Sequence, residues 1–450
     1  MAVEGIAESP VVLVPEDDAG ARPTEPLPIL QLLQISIYWL GINAIWGGVG
    51  IFNQHRVDQL APAGQAGGYL TLMSWLALPV VVLVQPTVGA ISDYTSTRWG
   101  RRKPFIVIGS LLDVVFLIGL ATSQTFVSLV VFVMLLQFSS NFAQGPFQGY
   151  VPDLVPGQQV GLASALVGAM QTVGFITGAL VISAAFALGT FTIFLVLLGV
   201  IEVATAAGTF LFVREGRAAA RQRQGRSWFE IGRSAWGTDI LRERSFTFLL
   251  LSRLLFLGGT NVFLQFNVFF LTRSLGMDTA ESGLWIAIGG VATGITTAIA
   301  TIPSGLASNR YGRKPMIYVA CAIGALGLVV AGLAPTPEIM VIGVVILGVG
   351  TGTFVAVDWA LMTDIIPKAS SGRFMGISNI AVALAGPTAT LVAGPVMDAV
   401  GGTSNGGSGP RAALLVGTLL FGLSAILLRR VDPRPREQRL AAERAASAAV

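Results

Sequence analysis

The stretch S-D-Y-T-S-T-R-W-G-R-R-K-P-F, Ser92 to Phe105, lies between two apolar runs and is echoed by S-N-R-Y-G-R-K-P-M, Ser308 to Met316. Each copy is a short basic turn with a glycine at its centre. A second pair of echoes keeps the same spacing: Y-V-P-D-L-V-P from Tyr150 to Pro156, and L-M-T-D-I-I-P from Leu361 to Pro367. Asp153 and Asp364, Pro156 and Pro367, Gly161 and Gly372, and Pro104 and Pro315 are each 211 residues apart. A shared offset of this kind marks an internal duplication.

The runs flanking these turns decide the environment. Of the 450 residues 53% are hydrophobic and only 12% charged, too little polar surface to wrap a soluble core of that size. A helix needs roughly 20 apolar residues to cross a hydrocarbon core. Twelve segments qualify, near 30–52, 69–91, 104–122, 127–150, 161–186, 190–213, 246–272, 283–305, 315–333, 337–359, 373–398 and 411–428. A membrane β-barrel would alternate apolar and polar residues in segments of about ten, whereas Val341 to Val349 is continuously apolar. The predicted fold is all-α, with twelve transmembrane helices in two pseudo-symmetric six-helix bundles. The 54 glycines and 22 prolines suit membrane helices that pack closely or bend around a cavity.

Charge gives the expected topology. Of the 28 Lys and Arg, all but Arg56, Arg253, Arg273 and Arg411 fall in tails or loops on one side of the membrane. Basic residues favour the cytoplasmic face, so both termini are expected there. The pI near 9.5 then reflects topology and implies no nucleic-acid partner. Residues 214–245, with the densest Arg cluster, join an N-terminal bundle, 29–213, to a C-terminal bundle, 246–430. Within that linker, Ser227 to Trp236 mixes aromatic, apolar and basic residues, which suits either a short helix on the membrane surface or a solvated linker attracted to anionic lipid. Residues 1–28 read as a disordered acidic tail without the basic start of a signal peptide, and 431–450 as a second tail.

On these residues the chain resembles the major facilitator superfamily, whose loop between helices 2 and 3 follows G-x-x-x-D-R-x-G-R-R/K. Gly89, Asp93, Gly100, Arg101 and Arg102 fit the first copy, with an insertion between Asp93 and Arg98; Gly305, Arg310, Gly312, Arg313 and Lys314 fit the second. Leu83 to Ile106 and Gln144 to Leu154 are similar to segments of sucrose transporters and of the glycoside-pentoside-hexuronide cation symporters. Gln148 stands where sucrose carriers have an arginine implicated in coupling sugar to proton. The resemblance implies alternating access, with a small-molecule solute and a proton as partners in a lipid bilayer. A proton-coupled sugar or glycoside symporter is the first expectation and a proton-coupled efflux antiporter the alternative, although the fifth span has glycines without the proline common in exporters.

The motif residues make sense as a gate on the basic side: Asp93, Arg98, Gly100, Arg101, Arg102, Asp153, Arg310, Arg313 and Asp364. Asp93 can face the positive N-terminus of helix 11 near Ser371 and Gly372, and Arg101 or Arg102 can reach Asp153. Asn309 replaces the expected Asp in the second copy, so the Asp364 to Arg313 side is the weaker restraint.

Ionisable groups inside spans mark pathways. Asp113, nine residues beyond Pro104, falls near the midplane at about 1.5 Å per residue; no basic residue precedes it within its span, so its partner must come from another helix. Glu202 and Asp358 are further coupling candidates. Arg253 can pair with an acid, hold an anionic solute or snorkel to the surface. Asn43, Trp46, Asn141, Gln144, Gln148, Gln171, Asn261, Gln265 and Asn267 supply the amides and an aromatic face that a sugar site combines. The alternative for each amide is a bond between helices. Trp285 and Trp359 could also stack on a sugar ring, with an interfacial position favoured for Trp285.

Other classes are excluded by what is missing. The sequence has no G-x-x-x-x-G-K-[ST] loop, a lone Cys321 and a lone His55, so no cofactor, metal site, disulfide framework or enzyme is expected. His55 reads as an exposed loop residue after the first span. A monomer is expected, in a bacterial inner membrane, since the chain is rich in Arg, Ala and Gly and has only Lys103, Lys314 and Lys368 as lysines.

Overall fold

The structure, a computed structural model, describes residues 25–215, 227, 230, 244–365, 371–401 and 407–432, with the side chains of residues 157, 359, 363–365 and 371–380 outside that description. Twelve helices long and apolar enough to cross a membrane run through it. In chain order they are α1 (Ile29–Leu60), α2 (Ala66–Asp93), α3 (Lys103–Ala121), α4 (Phe126–Leu154), α5 (Val160–Leu188), α6 (Phe191–Phe212) and α7 (Arg244–Ser274). The series continues with α8 (Thr279–Tyr311), α9 (Arg313–Leu333), α10 (Pro337–Ile365), α11 (Ser371–Gly401) and α12 (Ser408–Leu428).

Local chemistry explains where the helices stop. Thr125 and Ser128 form a reciprocal capping box at the start of α4, and Asp278 caps α8 through the Glu281 N–H at 2.8 Å. Gly312, at φ 91°, separates α8 from α9. α1 is interrupted at Ile37, so that Tyr38 opens its longer segment. α7 ends in a π-helical turn, Phe270–Ser274, which carries Arg273.

The duplication read from the loops reappears in the packing. α1 lies on α5 and α6, α2 on α4, and α3 on α4 and α6; in the second bundle α7 lies on α11 and α12, α8 on α10, and α9 on α10 and α12. Between bundles, α2 packs on α11 and α5 on α8, and α1 meets α7.

The helices are inside out relative to a soluble protein. On α3, Ile108, Leu111, Val115 and Ile118 are exposed along one stripe, while Ser110, Asp113, Leu117 and Leu120 are buried on the opposite one. Lipid takes the apolar stripe and the protein takes the carboxylate. The helix of α1 also runs past the apolar stretch to Leu60, so His55 is helical and half-buried, stacked on Phe191 with ring centroids 4.9 Å apart. It is no loop residue: Phe186 and Phe191 give its ring an apolar seat that the linear sequence does not reveal.

Candidate functional site

At the basic end the first loop copy folds into an ion cluster inside the N-terminal bundle. Pro104 starts α3 and Gly100, at φ 119°, turns the chain so that Arg101 and Arg102 point back under α4. The Arg102 guanidinium donates to Asp93 at 2.9 Å and to the Pro146 carbonyl at 2.6 Å, and lies 2.7 Å from Asp153. Arg101 pairs with Asp153 as well. A planar guanidinium suits this three-way role because its donors are fixed in a fork.

Glu215 was not among the expected residues, yet it completes the cluster. Its carboxylate accepts the backbone N–H of Lys103 at 2.9 Å and that of Arg102 at 3.1 Å, capping α3. A side chain at position 100 would overlap this carboxylate. Burial pushes the Glu215 carboxyl above its ordinary value, against the pull of these donors. The only sequence signal was an acid directly after the sixth span.

Other expected gate residues stand apart. Arg98 is exposed with its guanidinium 4.9 Å above the Trp99 ring, and Arg310 is exposed 5.4 Å above Tyr311. Both lie on the exposed basic surface, Arg98 in the loop and Arg310 in the last turn of α8, each over a neighbouring aromatic face. Arg313 donates to Ser308 at 3.1 Å and to Asn309 at 3.2 Å. The side chains of Asp364, Ser371, Gly372 and Trp359 lie outside the described residues, and with them the expected contact of Asp93 with helix α11.

At the far end, polar groups join the two bundles. Asp398 of α11 accepts the N–H groups of Gly67 and Gly68 at 2.8 and 2.6 Å, and Thr71 donates to the Thr390 carbonyl at 2.7 Å. Arg273 pairs with Asp58. Gln54 donates to the Leu264 carbonyl at 2.6 Å and accepts the Val268 N–H at 3.1 Å. The sequence reading missed this set, because charges and amides at helix ends look alike whether or not they meet across an interface.

Inside the spans, the acids are distributed unequally. Arg253 and Asp358, both buried, pair at 3.0 Å between α7 and α10, so Arg253 does not snorkel. Asp113 and Glu202 are fully buried and within hydrogen-bond reach of each other between α3 and α6. Tyr38 donates to Glu202 Oε1 at 2.8 Å and Ser139 donates to Asp113 Oδ1. The partner that Asp113 required from another helix is thus a second acid.

The amides divide by their bonds. Asn43, Asn141 and Asn261 each donate to a carbonyl one turn back in their own helix, each at 2.8 Å, which leaves their oxygens for another donor. Asn267 is buried with an unpartnered Oδ1. Trp46, Gln144, Gln148, Gln171 and Gln265 are half-buried on α1, α4, α5 and α7. Gln265 faces Gly386 of α11. Trp285 is half-buried near the far end of α8, packed against the apolar core. Among the described residues no group of His, Cys, Asp and Glu could hold a metal ion.

Comparison with known proteins agrees with this architecture. General alpha-glucoside permease of Schizosaccharomyces pombe is 26% identical over 241 residues, 48% of this chain and 43% of that permease. Sucrose transport protein SUT1 of Oryza sativa subsp. japonica is 30% identical over 158 residues, 29% of each chain. The aligned part thus spans less than half the length of either relative. The crystal structure of the nucleoside transporter NupG superposes with a TM-score of 0.64 at 16% identity, covering 89% of this chain and 98% of that one. The D-xylose-proton symporter gives 0.65 at 18%, covering 91% and 98%. At such identities the likeness is one of fold. The model of the family described as MFS/sugar transport protein matches residues 64–429, most of the sequence, and the chain belongs to that family.

Proposed function

We propose that this protein is a proton-coupled symporter of a sugar or glycoside that works by alternating access. In this reading it acts as a monomer in a bacterial inner membrane, with the basic end and both termini cytoplasmic. The observation that carries it is the closure of the far end. Asp398, Arg273, Asp58, Gln54 and Thr71 bridge the bundles there with a few polar bonds at helix ends, which can be broken without unpacking either bundle. Midplane sites between two duplicated bundles that rock against each other are the general design of secondary carriers.

Family membership and the two sugar-carrying relatives support sugar as the solute. The half-buried Gln144, Gln148, Gln171 and Gln265, with Asn43, Asn261 and Trp46, offer hydrogen-bonding groups and an aromatic face. The buried Asp113 and Glu202 support the proton as the coupling ion, because a carboxyl group exchanges a proton when its hydration changes.

The test is transport by the purified chain in proteoliposomes. An inward proton gradient is imposed, and [14C]maltose, [14C]sucrose, [14C]trehalose and a cationic dye are offered in turn. Accumulation of at least one sugar, abolished by a protonophore, is expected. Gradient-driven dye extrusion without sugar uptake would replace symport by efflux.

A further inference from the structure

Tyr38, Ser110, Asp113, Ser139 and Glu202 are each at most 1% exposed and form one cluster between α1, α3, α4 and α6. Its hydrogen bonds can be assigned one by one. Ser139 donates to Asp113 Oδ1, and Tyr38 donates to Glu202 Oε1. The Ser110 hydroxyl lies 2.7 Å from that of Tyr38 and 2.9 Å from the Ile106 carbonyl, so its one proton has takers on both sides. Thr205, the nearest hydroxyl along α6, donates to the Glu202 backbone carbonyl. Two atoms remain. Asp113 Oδ2 and Glu202 Oε2 are buried and receive no donor from the described residues.

Two carboxyl groups within hydrogen-bond reach of each other, each with such an oxygen, cannot both be ionised without a large desolvation and repulsion cost. Among the described residues, the side chains bonded to these carboxyl groups or to their tyrosine are Tyr38 of α1, Ser110 of α3 and Ser139 of α4, and Thr205 of α6 bonds to the Glu202 backbone only. None is a cation, and Tyr38 is the only other titratable group among them. Lys103, the base nearest along α3, is ten residues away, about 15 Å along the helix. A hydrogen on one carboxyl, donated to the other, satisfies both remaining oxygens at once.

We infer that Asp113 and Glu202 form a single proton-binding site, one proton shared between the two side chains, and that this is the proton the carrier exchanges. The inference rests on the symport reading and deepens it: two separate candidates become one site with a stoichiometry of one. With the proton bound, the pair carries one negative charge; on release to water it carries two, and the carboxylates must separate or hydrate. Tyr38 transmits that change, since it holds Glu202 from the first turn of the longer segment of α1. Gly41, one turn on, seats α1 directly against the backbone of Glu202. The same segment bears Asn43 and Trp46, which ties the proton site to the helix expected to meet the sugar.

The experiment uses the full chain in lipid and reads the proton directly. Infrared spectra at neutral pH are recorded for the unaltered protein, Glu202→Gln and Asp113→Asn, with the paired replacement Arg253→Met and Asp358→Leu as a control. A protonated-carboxyl C=O band is expected, lost entirely in either dyad variant because a side-chain amide supplies the missing donor, and kept in the control. A band absent from the unaltered protein, or surviving in both dyad variants, overturns the inference. Should one variant fail to fold, the unaltered spectrum and the other variant still decide. In proteoliposomes carrying [14C]maltose or [14C]sucrose, one pH unit drives about tenfold accumulation at one proton per solute. Glu202→Gln is expected to lose that accumulation while equilibrium exchange falls far less; equal loss of both, or of neither, also overturns it. If the unaltered chain shows the band but no gradient-driven uptake of any sugar, the symport reading fails and the proton site stands.

Discussion

Asp398 places one carboxylate oxygen 2.8 Å from the backbone N–H of Gly67, and so seats an anion from α11 on the N-terminus of α2. Gly68 donates to the other oxygen at 2.6 Å. The first N–H groups of a helix have no partner within it and carry a partial positive charge, so they are a ready anion site. The close approach requires glycine, since a Cβ at position 67 would lie 2.8 Å from the Gly394 carbonyl carbon and 2.9 Å from the carboxylate itself. This contact is an inverted counterpart of the gate expected at the basic end, where Asp93 of α2 was matched with the N-terminus of α11. One pair of helices can thus offer an acid-to-helix-end contact at each face.

Removing the charge should loosen the far end. Asp398→Asn keeps one acceptor but loses the ionic part of the contact, worth on the order of 1–2 kcal/mol at a partly buried helix end. A bias of that size changes a two-state population by roughly fivefold to thirtyfold. With Gln54→Cys as a reporter, buried at 0% exposure in the present state, labelling by an impermeant maleimide should speed up accordingly when Asp398→Asn is added. An unchanged labelling rate would mean that Asp58 with Arg273, and Thr71 on the Thr390 carbonyl, hold the face shut by themselves.

Arg102 is the hub of the basic-end cluster, and its shape matters as much as its charge. In Arg102→Lys a single ammonium replaces a fork that meets Asp93, Asp153 and the Pro146 carbonyl together. The substitution should lower both the initial uptake rate and the thermal midpoint, whereas Arg98→Lys, on the exposed loop surface, should change neither. No effect of Arg102→Lys would show that loop charge, which both variants keep, is what counts.

How much of this was legible in the sequence follows from what each feature leaves in it. Spans are continuous apolar runs, so all twelve helices coincide with the segments read, the main differences being extra turns such as α1 beyond Phe52 and α8 beyond Gly305. Asp153 and the two arginines were legible because duplication repeats them at a fixed offset. Asp113 and Glu202 were visible singly, as rare acids within apolar helices, but nothing in a linear sequence says that α3 and α6 bring them together. Asp398 left less still: an acid near a helix end is ordinary, and its partners are backbone N–H groups, which every residue other than proline has.

Glu215 gives a pH dependence with a definite sign. Burial raises its folded-state value above the ordinary 4.5, so the folded protein holds that proton at a pH where the unfolded chain has released it. Stability falls with rising pH wherever the folded state binds more protons. The contribution is therefore lost as pH rises from about the ordinary value through the raised one. Glu215→Gln keeps an acceptor oxygen for the Arg102 and Lys103 N–H groups and removes the titration. Thermal midpoints of the two proteins, compared across that window in the same detergent, should diverge in favour of the glutamine variant as pH increases. Parallel curves would show that water reaches the carboxylate freely.

Arg253 and Asp358 allow the last distinction, between a charge that couples transport and one that supports the fold. Their 3.0 Å contact balances the buried carboxylate with a guanidinium, so this site, unlike Asp113 with Glu202, needs no proton to be neutral. Breaking a buried pair on one side leaves an uncompensated charge and costs about 3–5 kcal/mol, while replacing both members with apolar groups is often neutral. Asp358→Asn should then be strongly destabilised, and Arg253→Met combined with Asp358→Leu should recover most of the loss in thermal midpoint. The double variant should also keep its ratio of gradient-driven accumulation to equilibrium exchange, even where the absolute rate falls. If that ratio collapses while stability recovers, Asp358 carries the coupling proton and the α7 to α10 pair, not the α3 to α6 pair, is where the ion binds.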